Sequence, residues 1–454
     1  MDKTSGQTTP QLLLPLIILL AMALGFAYVM PKLTTVQTIA LGGGIIFFVV
    51  CLASTEAALY ILIFSMLLSP EIIVGTTAGA SLGRGVTLRV DDFVILIIGF
   101  SWLAKMAINK QLGLFLTTPL NKPIGFYIIV CLISTLLGTI FGTVRLKTGF
   151  FFVLKYFEYM FIFFMVANHL KTKKQVKNYL WAMLITCIIV SIIGIAQIPG
   201  GGRVSAPFEG GVGEPNTFGG YLVFMICIAT GLFLTTTSRT SQLIYVGLIL
   251  IFVIPLVYTQ SRTSYLASIP AMLAFVWLSE KRNWVLMVLV VMAALLPFIA
   301  PKALKERVAY TFTEERDRGI EISGVKLDTS TSERLMSWKA VATHWVKRPV
   351  LGFGVTGYGF VDAQYFRVLI ETGVLGVAAF FLLLSSIFRQ TYIVFRDDLE
   401  PFEKGLCMGF LAGFIGLLVH AIGANTFIIV RIMEPFWFLL AMVIMIPNLK
   451  RESR

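Results

Sequence analysis

Apolar runs of about 20 residues, one after another, constrain this chain more than any other feature, because that is the length of helix that spans a bilayer's hydrocarbon core. They fall at 11–30, 34–53, 56–74, 92–108, 123–141, 149–168, 178–197, 217–236, 242–259, 264–279, 284–300, 366–388, 405–422 and 427–447. We count about fourteen crossings, or twelve to thirteen where closely spaced runs share one. Composition agrees: 57% of the 454 residues are hydrophobic and only 13% charged, with a mean hydropathy of +0.86. A soluble domain carries about 25% charged residues and could not cover so much apolar surface. Strand signals are absent, no run alternates with the period of two of an outer-membrane barrel, and no repeat is visible. The expected fold is an all-α polytopic membrane protein.

The five cysteines lie in or beside apolar runs, with no CxxC pair, and read as packing residues. The first run has Lys3 before it and no small-residue cleavage site after it, so it reads as a retained helix. Lys and Arg recur in alternate short loops: Lys105, Lys110 and Lys122; Lys171 to Lys177; Arg239; Lys281 and Arg282; Arg389, Arg396 and Lys404; then the C-terminal tail. By the positive-inside rule those loops and both termini are cytoplasmic. The expected organisation is helices 1 to 11 over residues 1–300, a long external loop over 301–363, and three helices and a tail over 364–454. The net charge is +13, from 37 Lys+Arg against 24 Asp+Glu. Much of that excess lies outside, on the long loop and at Arg84, Arg89, Arg145, Lys147, Arg203 and Arg262. Arginine at an external membrane boundary points to an anionic ligand rather than to nucleic acid.

Three constellations carry chemistry. The segment 200–216 packs six glycines around Arg203 and ends in Glu214-Pro215-Asn216. Glycine lets the backbone approach a ligand, the guanidinium fork suits phosphate oxygens, and a helix N-terminus opening at Pro215 adds anion affinity. The bland alternative is a flexible loop with a snorkelling arginine. Thr259-Gln260-Ser261-Arg262-Thr263-Ser264 is a polar tip between two apolar runs, either a second anion grip or a headgroup anchor. The third runs from Arg334…Trp338 through Pro349-Val350-Leu351-Gly352-Phe353-Gly354 to Asp362-Ala363-Gln364-Tyr365 and Glu371-Thr372-Gly373. Trp338 and Tyr365 are candidate sugar platforms or interface anchors. Asp362 is a candidate base or the N-cap of the following helix. Glu371, two and a half turns further on, reads as a deeper packing carboxylate. His420, Asn425, Arg431 and Glu434 form a polar group at the last external turn, where Arg431 and Glu434 either line a substrate cavity or pair at i,i+3.

In this order the motifs resemble the superfamily of bacterial O-antigen ligases and O-antigen polymerases. Its usual pattern has an external Arg loop ending in a Pro-Asn helix start and then a Ser-Arg hairpin. A long loop follows with an Arg…Trp helix and a Pro-Leu-Gly-x-Gly turn, closing on His-Asn-x-Tyr-Leu…Glu-x-Gly. Here these are Arg203 with Pro215-Asn216, Ser261-Arg262, Arg334…Trp338, the turn at 349–354, and Asp362-Ala363-Gln364-Tyr365…Glu371-Thr372-Gly373. The likeness covers roughly residues 150–390, and its specificity rests on the ordered set. One position departs: ligases carry histidine where this chain has Asp362, which favours a repeat-unit polymerase.

The resemblance implies a GT-C-like glycosyltransferase in the bacterial inner membrane, acting at the periplasmic face. Donor and acceptor would be undecaprenyl-pyrophosphate-linked glycans, polymerised into O-antigen or a related polysaccharide, with a flippase and a chain-length regulator as partners. A pyrophosphate leaving group gathers negative charge as the glycosidic bond breaks, and arginines stabilise it with no metal or other cofactor. No DxD motif stands in the external segments; Asp91-Asp92 heads a helix and reads as a cap or structural pair. Arg203, Arg262 and Asp362 are the expected catalytic residues, with Glu209 and Glu214 as rivals to Asp362. Glu214, Asn216, Arg334, Trp338, Gln364, Tyr365, His420 and Arg431 are the expected substrate-binding set. Two other readings compete. A ligase would transfer the finished glycan to a lipid A core sugar. A transporter or flippase would show an internal repeat and charges at the bilayer midplane.

Overall fold

The computed structural model describes residues 35–76, 85–108, 116–209, 213–299, 305, 321–322, 325–326 and 329–449. The expected span at 11–30, Arg84, Lys110 and most of 301–328 lie outside the described residues. Within them, a helix stands at each expected position: α1 (Thr35–Ala53), α2 (Thr55–Leu68), α3 (Val90–Ile108), α4 (Asn121–Ile140), α5 (Leu146–His169), α6 (Lys173–Gln197), α7 (Pro215–Thr235), α8 (Arg239–Tyr258), α9 (Arg262–Leu278) and α10 (Arg282–Ile299). α11 (Thr329–His344) lies in the long loop and, among the described residues, is the one α-helix without an apolar surplus. α12 (Gln364–Arg396), α13 (Pro401–His420) and α14 (Val430–Met445) follow. Eight helices among the described residues are long and apolar enough to cross a membrane. The chain is an all-α polytopic membrane protein.

Two short hairpins correct the expectation of no strands: β1 (Glu71–Thr76) with β2 (Gly85–Arg89), and β3 (Glu321–Ile322) with β4 (Val325–Lys326). The apolar run at 56–74 is therefore not one helix. Pro70 disfavours helical geometry at Ser69, which is extended at ψ 135°, and the β-branched Ile72-Ile73-Val74 then continues as strand.

α7, α13 and α14 are the most deeply buried helices and form the centre of the bundle. α7 and α13 approach backbone to backbone because Gly405, Gly409 and Gly413 repeat every four residues on one face of α13. A Cβ on Gly409 would stand 2.6 Å from the Cys227 carbonyl oxygen. Small residues are the usual means of close helix contact in lipid, where burial of apolar area gives no drive. All five cysteines are buried and unpaired, as packing residues should be.

α12 is interrupted. Gly373 has φ 65° and ψ −166°, so the helix breaks there and restarts. The turn at 349–354 docks into the break. Phe353 N donates to Ile370 O at 3.0 Å and Gly354 N to Glu371 O at 2.8 Å. From the helix side, Val374 N donates to Pro349 O at 2.8 Å and Leu375 N to Val350 O at 3.1 Å. Backbone groups orphaned by the break thus find partners in the turn. The Glu371 carboxylate sits at this junction, accepting from Thr356 N at 3.0 Å and pairing with Arg367 at 3.1 Å. Its packing role is the one expected, yet it lies at a break and not on a continuous helix face.

Side-chain contacts separate the loops into two groups. One end of the bundle is joined by Lys105 to Thr55, Lys173 to Glu403 and Lys404 to Glu280. At the other end the segments 197–216, 259–261, 345–363 and 421–429 touch one another. These are the two alternating sets that the charge pattern assigned to opposite faces.

Candidate polar site at one end of the bundle

Arg203 is exposed, yet its guanidinium is positioned. The loop that carries it is pinned at both sides: Val204 N donates to Tyr258 O at 3.0 Å, and the Gln197 amide brackets the Ser205 backbone at 3.0 and 3.1 Å. Arg203 Nε donates to Thr259 O at 3.0 Å, and Nη2 to Gln260 O and Asn216 Oδ1, each at 3.4 Å. Gln260 adopts φ 50°, which turns its carbonyl toward the arginine at the tip of the 259–261 connection. The glycine-rich loop and the polar tip, far apart in sequence, therefore form one surface. Arg262, half-buried, is the first residue of α9 on that same tip.

Beneath them runs a buried polar chain. Asn216, second residue of α7, accepts from Ser261 Oγ at 2.8 Å, and Ser261 accepts from Ser264 Oγ at 2.8 Å. Ser264 Oγ lies 3.2 Å from His420 Nε2, and His420 Nδ1 lies 2.7 Å from Thr426 Oγ1. Because Ser264 spends its hydrogen on Ser261, it accepts from Nε2–H, and a neutral ring then leaves Nδ1 to accept from Thr426. His420 is fully buried, so it props the arginine surface from below. Ser261 is also the N-cap of α9, accepting from Ser264 N at 3.3 Å. Sequence alone points to His420 but not to Ser264 and Thr426 as its partners. Only the polar character of the hexad hinted at the first.

The long loop closes one side. Asp362 pairs with Arg334 at 3.2 Å, with the side chains 32% and 21% exposed. Asp362 is not the helix N-cap: that position is Ala363, and the helix begins at Gln364. Gln364 is buried and structural, donating N–H to Ala421 O at 3.0 Å and accepting from Phe427 N at 3.1 Å. Asn425 Nδ2 donates to Val361 O at 2.8 Å. Trp338 stacks on Phe366 at 5.0 Å, and Tyr365 stacks on Phe381 at 5.7 Å while its hydroxyl donates to Leu418 O. Both aromatics thus have one ring face occupied within the protein. His344 meets the Tyr358 hydroxyl at 2.6 Å inside the same loop. Arg348 rests on the Phe141 and Phe353 rings, 4.7 and 5.2 Å from their centroids. Arg145 and Lys147 are exposed at the start of α5, beside that contact.

Glu214 accepts from Thr217 Oγ1 at 2.9 Å, and its N–H donates to Glu209 at 2.8 Å, so the two carboxylates hold the end of the glycine-rich loop. Arg431 is buried and grips backbone: Nη1 donates to Leu67 O and Pro207 O, both at 2.8 Å, and Nη2 to Phe208 O at 2.9 Å and Ser69 O at 3.4 Å. Its acidic neighbour is Glu209 at 3.8 Å. Neither reading of Arg431 is what the structure has: Glu434 faces Asp91 and Asp92 and not the arginine, and Arg431, buried and bonded to backbone carbonyls, does not line an open substrate cavity. Arg431 ties the base of the Arg203 loop to the end of α2.

Arg203, Arg262, Asn216 and Glu214 therefore lie on one polar surface with His420 buried beneath it, and Asp362 and Arg334 at the long loop are joined to it through Gln364, Val361 and Asn425. Residues 247–381 match a family model described as O-antigen ligase. The match takes in Arg262, Arg334, Trp338 and Asp362, while Arg203, Asn216, His420 and Arg431 lie outside it. No curated protein matches the chain.

Proposed function

We propose that this chain, whose residues 247–381 are similar to a family model described as O-antigen ligase, is a membrane glycosyltransferase polymerising lipid-linked oligosaccharide repeat units. It acts at the outer face of the bacterial inner membrane, with both termini cytoplasmic, in a GT-C-like architecture. The donor is a growing glycan on undecaprenyl pyrophosphate, and the acceptor is the sugar of an incoming lipid-linked unit. The product is O-antigen or a related polysaccharide.

One observation carries the reading: Arg203 is held by Thr259, Gln260 and Asn216, on the same tip that presents Arg262. The Arg203 guanidinium, fixed before substrate arrives, and Arg262 on the same tip form the cradle for a pyrophosphate. They stabilise the charge that develops as the C1–O bond breaks, with no reorganisation at that moment. The proton of the acceptor hydroxyl goes to Asp362, whose pairing with Arg334 orients it. Glu214 and Asn216 shape the loop, and Trp338 and Tyr365 flank the sugar path.

Ligase activity is the second reading, favoured by the description of the matching family. Against it stands the chemistry of the histidine: His420 has both ring nitrogens engaged at full burial and does not present itself to an acceptor. Incubating the purified protein with lipid-linked repeat units, with and without lipid A core, separates the two.

A further inference from the structure

A second group of ionisable side chains lies apart from the arginine surface, where α3, α5 and α14 meet. Asp91 and Asp92 open α3, Lys155 and Glu158 sit in the apolar run of α5, and Glu434 is on α14, one turn past Arg431. Asp91 and Glu434 are fully buried, and Asp92 and Arg89 nearly so. The cations are accounted for. Arg89 pairs with Asp91 at 2.8 Å, its N–H donates to Asp92 at 2.9 Å, and its guanidinium reaches Met66 O. Lys155 pairs with Asp92 and, at 3.2 Å, with Glu158. Arg431 is balanced by Glu209. The cluster proper thus holds four carboxylates against two cations, two positive charges short in a place where an uncompensated charge is costly.

Glu434 sharpens the point. Both of its carboxylate oxygens are buried with no hydrogen-bond partner, and Asp91 beside it has the Arg89 guanidinium at one oxygen. Oxygens of Asp91, Asp92 and Glu434 lie within 4.8 Å of one another. Three hard oxygen donors suit a hard divalent cation such as calcium.

We propose that Asp91, Asp92 and Glu434 bind one hard divalent cation, for which calcium is the probe, and that it fastens the head of α3 to α14. The ion is structural and lies next to the Arg431 grip on the Pro207–Phe208 backbone, so it steadies the base of the Arg203 loop without touching substrate.

The test uses the full chain, purified in detergent and stripped with chelator, in calcium equilibrium binding and thermal unfolding. The expected result is saturable binding of one calcium per chain, with a melting temperature that rises with calcium concentration. Glu434→Gln is expected to weaken binding at least tenfold and to lose the calcium-dependent rise, while melting in chelator no lower than the unaltered protein. Asp91→Asn supplies the same readout if Glu434→Gln does not fold. Two results overturn the proposal: no saturable calcium binding up to about 10 mM, well above the range of weak extracellular calcium modules, or undiminished binding in the variants. The first means that protons shared among the carboxylates balance the cluster. Binding is read without any glycan, so failure of the polymerase reading leaves this result standing.

Discussion

Replacing Gly373 with alanine tests the break in α12 and the turn that fills it. The native φ of 65° with ψ near −166° belongs to a region essentially confined to glycine, and forcing a Cβ into it costs about 1–3 kcal/mol. The added methyl also meets the backbone of Val350 and Leu351, the Leu351 N at 2.6 Å. Backbone cannot swing aside as a side-chain end can, so overpacking adds about 1–3 kcal/mol. Relief requires the turn to move off, which strains four turn-to-helix hydrogen bonds worth about 0.5–1.5 kcal/mol each. The expected loss is about 2–6 kcal/mol, whichever route the protein takes. The assay is reversible unfolding in mixed micelles, with Gly359→Ala as control. A Cβ at Gly359 meets open space, so that variant should stay within about 0.5 kcal/mol of the unaltered protein. A loss below about 1 kcal/mol for Gly373→Ala, or equal losses in the two variants, would refute the reasoning. Polymer formation should fall with stability in Gly373→Ala, because Gln364 and Asp362 hang on the segment before the break.

Other substitutions separate the site's parts. Arg203→Ala and Arg262→Ala should each slow polymer formation by about 10²–10³, in proportion to losing a preorganised donor, with melting temperatures unchanged; turnover and scanning fluorimetry read both. Arg203→Lys should recover only part of the rate, since an ammonium cannot reproduce the guanidinium fork that bridges Thr259 O and Asn216. Asp362→Asn should lower the rate by about 10², while the Arg334–Asp362 pair, partly exposed, should show a stability coupling no greater than about 1 kcal/mol in a double-mutant cycle. Ser264→Ala removes the buried partner of His420 Nε2 and should destabilise by about 1–3 kcal/mol in the same unfolding assay.

The helices were legible because lipid demands long apolar runs, and Lys105, Lys173, Lys281 and Lys404 marked alternate loops. What stayed hidden depends on backbone geometry or on partners distant in sequence. Ser69-Pro70 was read through as helix, although proline there ends α2 and sends Ile72-Ile73-Val74 into a strand. Gly373 looks like any glycine in an apolar run, and nothing in its neighbours announces a positive φ. Arg203 and Arg262 were found by their type and setting, but the carbonyls that orient Arg203 carry no side-chain signature. The role of Arg431 is hidden for the same reason: its acceptors are main-chain oxygens of Leu67, Ser69, Pro207 and Phe208. Lys155 and Glu158 at i,i+3 inside an apolar run were the available sign of the buried ionic cluster, and only the fold brings them to Asp91, Asp92 and Glu434.

The central claim is that the positioned arginines serve repeat-unit polymerisation, and product analysis tests it most directly. Purified protein is incubated with undecaprenyl-pyrophosphate-linked repeat units, with and without lipid A core, and the products are resolved by size. The account predicts a ladder of lengthening glycans without the core acceptor, absent in Arg203→Ala and Arg262→Ala. Transfer seen only when lipid A core is present, or normal ladders from both arginine variants, would contradict it.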